Sequence, residues 1–124
     1  MKIKVLIVKS HEIPEISEIE NDLKSMQEVV GGYIEQIMPY DDEVALICNE
    51  EGKMCGMPLN RAIYDEDGSI LDIIAGTFLV CYAPMGSEEF LGTPDNLLEK
   101  YYKLFETPEH FISIDGQIIA VPID

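Results

Sequence analysis

Basic residues are scarce in this sequence. The chain has 8 Lys plus Arg against 24 Asp plus Glu, which gives a formal net charge of −16 at pH 7 over 124 residues. A surface this acidic repels the phosphates of nucleic acids and the anionic faces of membranes. We therefore expect no direct nucleic acid binding and no membrane attachment.

Cysteine and histidine are also rare. The odd set of three cysteines, Cys48, Cys55 and Cys81, predicts reduced thiols and hence a cytoplasmic protein. Cys48 and Cys55 lack the further Cys or His residues that a closed zinc site needs. His11 and His110 are the only histidines, and neither has a second histidine at ligand spacing. We expect them to lie at the surface or at element ends, and we predict no metal site and no cofactor.

Long apolar runs and familiar phosphate motifs are missing as well. The longest uncharged stretch, 73–87, is interrupted by Gly and Pro and is shorter than the ~20 apolar residues of a membrane-spanning helix. The opening MKIKVLIVKS has a four-residue apolar run, so we expect a first strand and no signal peptide. Neither GxGxxG nor a Walker loop occurs. The segment 65–69 lacks the spacing of an EF-hand calcium loop, and we interpret it as a turn.

Hydrophobic residues make up 47% of the chain, enough for a real core despite the acidity. The length fits one domain over residues 1–124. Strand-like patterns occupy 2–9, 33–38, 44–48 and 70–82, with turn signals at 39–43 and 49–52. Gly56 and Pro58 disfavour a central strand, so Lys53 to Tyr64 is predicted to be largely loop.

Two segments have helical patterns. Ser17 and Glu20 have the spacing of a capping box, and Gly31 provides a stop. Between these signals the apolar residues recur at helical spacing on one stripe: Ile16, Ile19, Leu23, Met26 and Val30. The second helix is predicted to start at Thr93 and Pro94. Its expected inner face is Leu97, Leu98, Tyr101, Leu104 and Phe105.

The end of the chain predicts a hairpin, with strands at 111–114 and 117–121 around Asp115-Gly116. Hairpins therefore dominate the pattern, and long crossovers are few. The expected fold is α+β, with a mainly antiparallel sheet of hairpins and two helices packed on one face.

Arg61 is the only arginine, and it follows Asn60 in the predicted loop. Its simplest role is an internal salt bridge, but its guanidinium fork also suits a carboxylate or phosphate. The sequence thus offers a candidate site for an anionic metabolite or nucleotide, formed by Tyr33, Asn60 and Arg61.

Carboxylates cluster in the predicted turns. Such charge ordinarily only keeps a protein soluble, but spaced carboxylates can also imitate a phosphate track and engage a cationic groove. The candidate partner-binding acidic face consists of Asp41, Asp42, Glu43, Glu50, Glu51, Asp65, Glu66 and Asp67.

Four segments resemble a known family. LKSMQEVVGGYIE at 23–35, NEEGK at 49–53, LNR at 59–61 and DIIAGT at 72–77 are similar to Domain of Unknown Function 3846. The resemblance covers roughly residues 1–106 and leaves out the final hairpin. It implies a cytosolic domain in a bacterium, phage or conjugative element. It brings no established activity and no catalytic residues.

The residues show no nucleophile or acid–base set, so we expect a binding protein rather than an enzyme. The leading hypothesis is an accessory or inhibitory protein of bacterial, phage or mobile-element type. It binds a basic host protein through its acidic face, for example as a DNA-mimic-like inhibitor. The alternative is an anion-binding domain that uses the Asn60–Arg61 loop.

Overall fold

The computed structural model describes residues 1–123. Within that range the chain forms nine strands and two helices. The strands are β1 (Lys2–Val8), β2 (Glu15–Glu20), β3 (Ile34–Ile37), β4 (Val44–Asn49), β5 (Leu59–Tyr64), β6 (Ile70–Ala75), β7 (Phe78–Tyr82), β8 (Glu109–Ile114) and β9 (Gln117–Pro122). The helices are α1 (Leu23–Val30) and α2 (Asp95–Phe105). Neither helix is long and apolar enough to cross a bilayer.

A five-stranded antiparallel sheet in the order β2-β1-β7-β4-β3 forms the centre of the fold. The hairpins β5–β6 and β8–β9 form two further two-stranded sheets. The predicted α+β class with antiparallel sheets is confirmed.

The two helices pack on opposite faces of the central sheet, not on one face as expected. The α2 residues Tyr101 and Phe105 pack in one core with Leu6 of β1, whereas Met26 of α1 packs in another core with Val5. Successive strand residues point to opposite faces, so these neighbours belong to different layers. The apolar runs of β1, β4 and β7 are buried on both sides, which requires a cover on each face.

The first helix is shorter than its pattern predicts. Residues 15–20 form β2, which pairs with β1, so the capping box at Ser17 and Glu20 is not used. The helix is capped instead by Asp22, whose Oδ1 accepts from the Ser25 amide at 2.7 Å. It ends at Gly31 with φ 81°, as predicted. In residues 15–20, strand pairing at the edge of the sheet outweighs the helical spacing of the apolar residues. Leu23, which was predicted to lie on the apolar stripe of the helix, is 57% exposed.

The expected loop at 53–64 contains a strand. Pro58 lies just before β5, and the strand pairs with β6 through a register shift between Leu59 and Arg61. Such a bulge admits an extra residue without ending the strand. The hairpin turn at 65–69 follows the prediction, with the Asp65 amide donating to the Ser69 carbonyl at 2.9 Å.

The apolar stretch at 70–82 is two strands in different sheets. The break is at Gly76, which has φ 81° and where a Cβ would lie 2.7 Å from Met57 Sδ. Only glycine satisfies both conditions.

At the end of the chain, β8 and β9 form the predicted hairpin around Asp115-Gly116. The second helix begins one residue later than predicted. Pro94 is its N-cap residue, and the hydroxyl of Thr93 is buried with no partner among residues 1–123.

Candidate functional site

The guanidinium of Arg61 lies inside the protein. The residue is 1% exposed, and its donors point to oxygens of distant segments. Nε and Nη2 donate to the Phe105 carbonyl at 3.1 and 2.9 Å, and Nη2 also donates to the Glu12 carbonyl at 2.6 Å. Nη1 donates to Asn60 Oδ1 at 2.8 Å and to the Asn60 carbonyl at 3.3 Å. Burial lowers the pKa of this guanidinium, and nearby Glu109 partly opposes that effect.

Asn60 extends the hydrogen-bond network of Arg61. Its side chain is fully buried, and Nδ2 donates to the carbonyls of Val8 and Gly76, each at 2.9 Å. Asn60 and Arg61 therefore tie together the end of β1, the β1–β2 turn, the β6–β7 turn and the end of α2.

These positions change the interpretation of the candidate anion site. Asn60 and Arg61 lie in a strand, not a loop, and the five N–H donors of the guanidinium have internal acceptors. Tyr33 is 71% exposed and is not among the residues that line the cavity beside Arg61. The internal partners are carbonyls and one amide oxygen, not the turn acid that the sequence suggested.

Glu109 is a second buried polar group beside Arg61. It is 9% exposed, and its carboxylate accepts from the Ala62 amide at 2.9 Å and from the Tyr64 hydroxyl at 2.6 Å. Burial, together with this hydrogen bond, raises the pKa of Tyr64 to about 12. The carboxylate thus fixes the start of β8 against β5.

A cavity of about 170 Å³ opens next to these groups. Its walls combine two tyrosines with apolar groups and with the buried residues Arg61 and Glu109. The lining residues are Tyr40, Arg61, Ala62, Tyr64, Leu104, Phe105, Thr107, Glu109 and Pro122.

The predicted acidic face divides between two ends of the molecule. Tyr40 and Tyr64 both line the cavity, and each is followed directly by three acids, in YDDE at 40–43 and YDED at 64–67. Glu50 and Glu51 follow the other end of β4, roughly 20 Å away for a six-residue strand. The structure thus brings Asp41, Asp42, Glu43, Asp65, Glu66 and Asp67 to the cavity end and separates Glu50 and Glu51 from them.

Some of these acids already have partners within the fold. Asp42 accepts from Lys100 and from the Tyr101 hydroxyl, and these bonds lower the pKa of its carboxyl. Glu43 Oε2 accepts from the Met85 amide at 2.8 Å, and Asp65 Oδ1 accepts from two amides of its own turn. Of the cavity-end acids in the described range, Asp41, Glu66 and Asp67 have exposed side chains with neither an ion pair nor a side-chain hydrogen bond.

Sequence reasoning did not single out two further groups of residues that the structure brings together. The first is the repeated Tyr-acid-acid-acid pattern, which is visible in the sequence but gains meaning only when both tyrosines line one cavity. The second is His11 with His110, whose ring centroids are 5.3 Å apart. They lie near opposite ends of the chain, so no local spacing could indicate their contact. No group of three or more potential metal ligands occurs within residues 1–123.

Comparisons with known proteins give one match. Nothing among curated proteins or among solved structures matches the chain. The family model that matches is described as a domain of unknown function, and it covers residues 1–106. The match includes the cavity-end acids and Arg61, while β8 and β9 lie beyond it. Because it covers well over half of the sequence, the chain belongs to the DUF3846 family.

Proposed function

We propose that the protein acts by binding a basic protein, and that the contact is made at the cavity end by the two acidic turns. The observation that carries this proposal is that Tyr40 and Tyr64 line one cavity and are each followed by three acids. A basic side chain of the partner enters the cavity, and neighbouring basic residues meet the rim.

The cavity suits one basic side chain better than a metabolite. Its volume of about 170 Å³ is below the roughly 300–1,000 Å³ of ordinary small-molecule sites. Lysine and arginine bury their methylene stems against apolar walls and keep the charge at the rim. Tyrosine faces add a cation–π attraction of about 0.5–2 kcal/mol.

The charge for this contact comes from the rim. The buried residues Glu109 and Arg61 that line the cavity have opposite charges, which offset each other. Asp41, Glu66 and Asp67 are exposed and unpaired among the described residues, so they are available to an approaching cation. Exposed carboxylates also raise the association rate of a basic partner.

A labelled lysine-rich peptide, followed by fluorescence anisotropy, tests the location of the contact. E66Q/D67N removes two charges at the cavity end, and E50Q/E51Q removes two charges at the other end of β4. We expect the first variant to weaken binding roughly two- to thirtyfold, because each exposed ion pair contributes about 0.2–1 kcal/mol. The second variant should bind like the parent, apart from a small loss that disappears in salt.

Equal losses in the two variants would indicate a contact spread over the whole acidic surface, as in a DNA mimic, and would overturn the cavity-end assignment. No loss in either variant would leave the carboxylates a solubilising role only. The parent protein and the two variants are then used as bait in a bacterial lysate. Natural partners are the proteins that the parent and E50Q/E51Q capture and that E66Q/D67N does not. We place this function in the cytoplasm of a bacterium, or in its phage or mobile element.

A further inference from the structure

The two histidines of the chain form a pair that no sequence spacing suggests. His11 lies in the turn after β1, and His110 is the second residue of β8. Both side chains are exposed, with ring centroids 5.3 Å apart and ring planes at 51°. They line a cavity of about 220 Å³ together with Glu109, Pro58, Leu59 and Phe111. We infer that His11 and His110 chelate a late first-row divalent metal ion such as Zn²⁺.

The separation of the rings fits a shared ion. A zinc–nitrogen bond is about 2.0–2.1 Å long, so a bound ion lies roughly 3.1 Å from the centroid of each imidazole. At a tetrahedral angle the two centroids are then roughly 5 Å apart. The observed centroid separation of 5.3 Å matches this value.

Strand β5 holds the residue next to each histidine. Arg61 donates to the carbonyl of Glu12, the residue after His11, at 2.6 Å. Ala62 donates to the carboxylate of Glu109, the residue before His110, at 2.9 Å. His11 itself has φ 65°, a left-handed conformation that a non-glycine residue keeps only where its surroundings impose it. The chain is thus held in place on both sides of the proposed site, and rotation of the two exposed side chains completes it.

The ligand set selects among metals. Imidazole nitrogen suits Zn²⁺, Ni²⁺ and Cu²⁺, whereas Mg²⁺ and Ca²⁺ prefer oxygen. The described residues give two ligands, so water completes the coordination. The ion joins the β1–β2 turn to the final hairpin.

The experiment titrates tag-free C55S protein with Zn²⁺ by calorimetry and compares it with H11N and H110Q in the same background. The C55S change removes an exposed thiol that would bind zinc, and asparagine tolerates the left-handed backbone at position 11. We expect one site per chain and a loss of at least about tenfold in affinity in each variant, or about 1.4 kcal/mol. Mg²⁺ at the same concentrations reports non-specific binding by the acidic surface.

A second measurement uses the C55S protein without further change. One equivalent of Zn²⁺ should shift the NMR signals of both imidazoles and slow hydrogen exchange in 9–13 and 109–114. Unchanged zinc affinity in H11N and H110Q, or imidazole signals that do not move, would overturn the inference. Neither outcome bears on the acidic turns, because the peptide assay is run in EDTA.

Discussion

Replacing Arg61 by alanine is expected to destabilise the protein strongly. The guanidinium is buried, and its hydrogen bonds join β5 to two segments that are distant in sequence, the turn after β1 and the end of α2. In the alanine variant the acceptors stay in place and lose their donors.

The size of the loss follows from two of those acceptors. The Phe105 carbonyl and Asn60 Oδ1 meet Arg61 in buried surroundings, and each buried group left without a partner costs about 1–3 kcal/mol. The Glu12 carbonyl is closer to the surface, and water can replace its donor. Removing a buried charge recovers part of the cost. A net loss of about 3 kcal/mol is expected, a large share of the roughly 5–15 kcal/mol that stabilises a domain.

Urea unfolding followed by circular dichroism measures this loss. Arg61→Lys retains a positive charge but not the planar fork, so it should also destabilise the fold. Lys53→Ala is the control, because it removes an exposed cation whose ion pair with Asp72 contributes less than about 1 kcal/mol. If Arg61→Ala costs no more than Lys53→Ala, the guanidinium does not hold these segments together. It would then be free to bind an anion, which is the alternative role that the sequence left open.

Two further predictions concern the core. Met26→Ala should cost about 2–5 kcal/mol in the same urea assay, and Leu23→Ala should cost under about 0.5 kcal/mol, because Met26 is 3% exposed and Leu23 is 57% exposed. Similar losses in the two variants would contradict the exposed position of Leu23. A thiol reagent at pH 8 should label Cys55 alone in the native protein and all three cysteines in denaturant. The other two thiols are buried, and burial raises the pKa of Cys48 to about 11 and that of Cys81 to about 12. Labelling of more than one cysteine in the native protein would mean that the core opens.

Local patterns predicted those elements whose local signals agree with their tertiary contacts. The final hairpin has turn residues at Asp115-Gly116 and apolar residues on both sides, and its strands formed as expected. The segment at 15–20 combines helical spacing with β-branched residues, and its pairing with β1 decided the outcome. A pairing partner on another strand is not encoded in a short window.

The site depended even more on distant contacts. The sequence predicts Arg61 to lie in a loop, with an internal salt bridge as its simplest role. It does not reveal the actual acceptors, the carbonyls of Glu12 and Phe105, because they are far away along the chain. The acidic turns were recognisable as turns, but only the course of β4 shows that Glu50 and Glu51 lie away from the others. The composition predicts an acidic surface, but only the topology shows that the acids of the predicted face lie at two opposite ends of β4.

Strand β5 links the two proposals without making either depend on the other. Its Tyr64 lines the cavity between the acidic turns, while Arg61 and Ala62 hold the residues next to His11 and His110. The acidic turns and Arg61 lie within the residues that the family model matches, whereas His110 lies beyond them. Charge changes at Glu66 and Asp67 should therefore alter peptide binding and leave zinc affinity unchanged, and the histidine substitutions should do the reverse. A change at Arg61 should reach both sites, because it removes the support that they share.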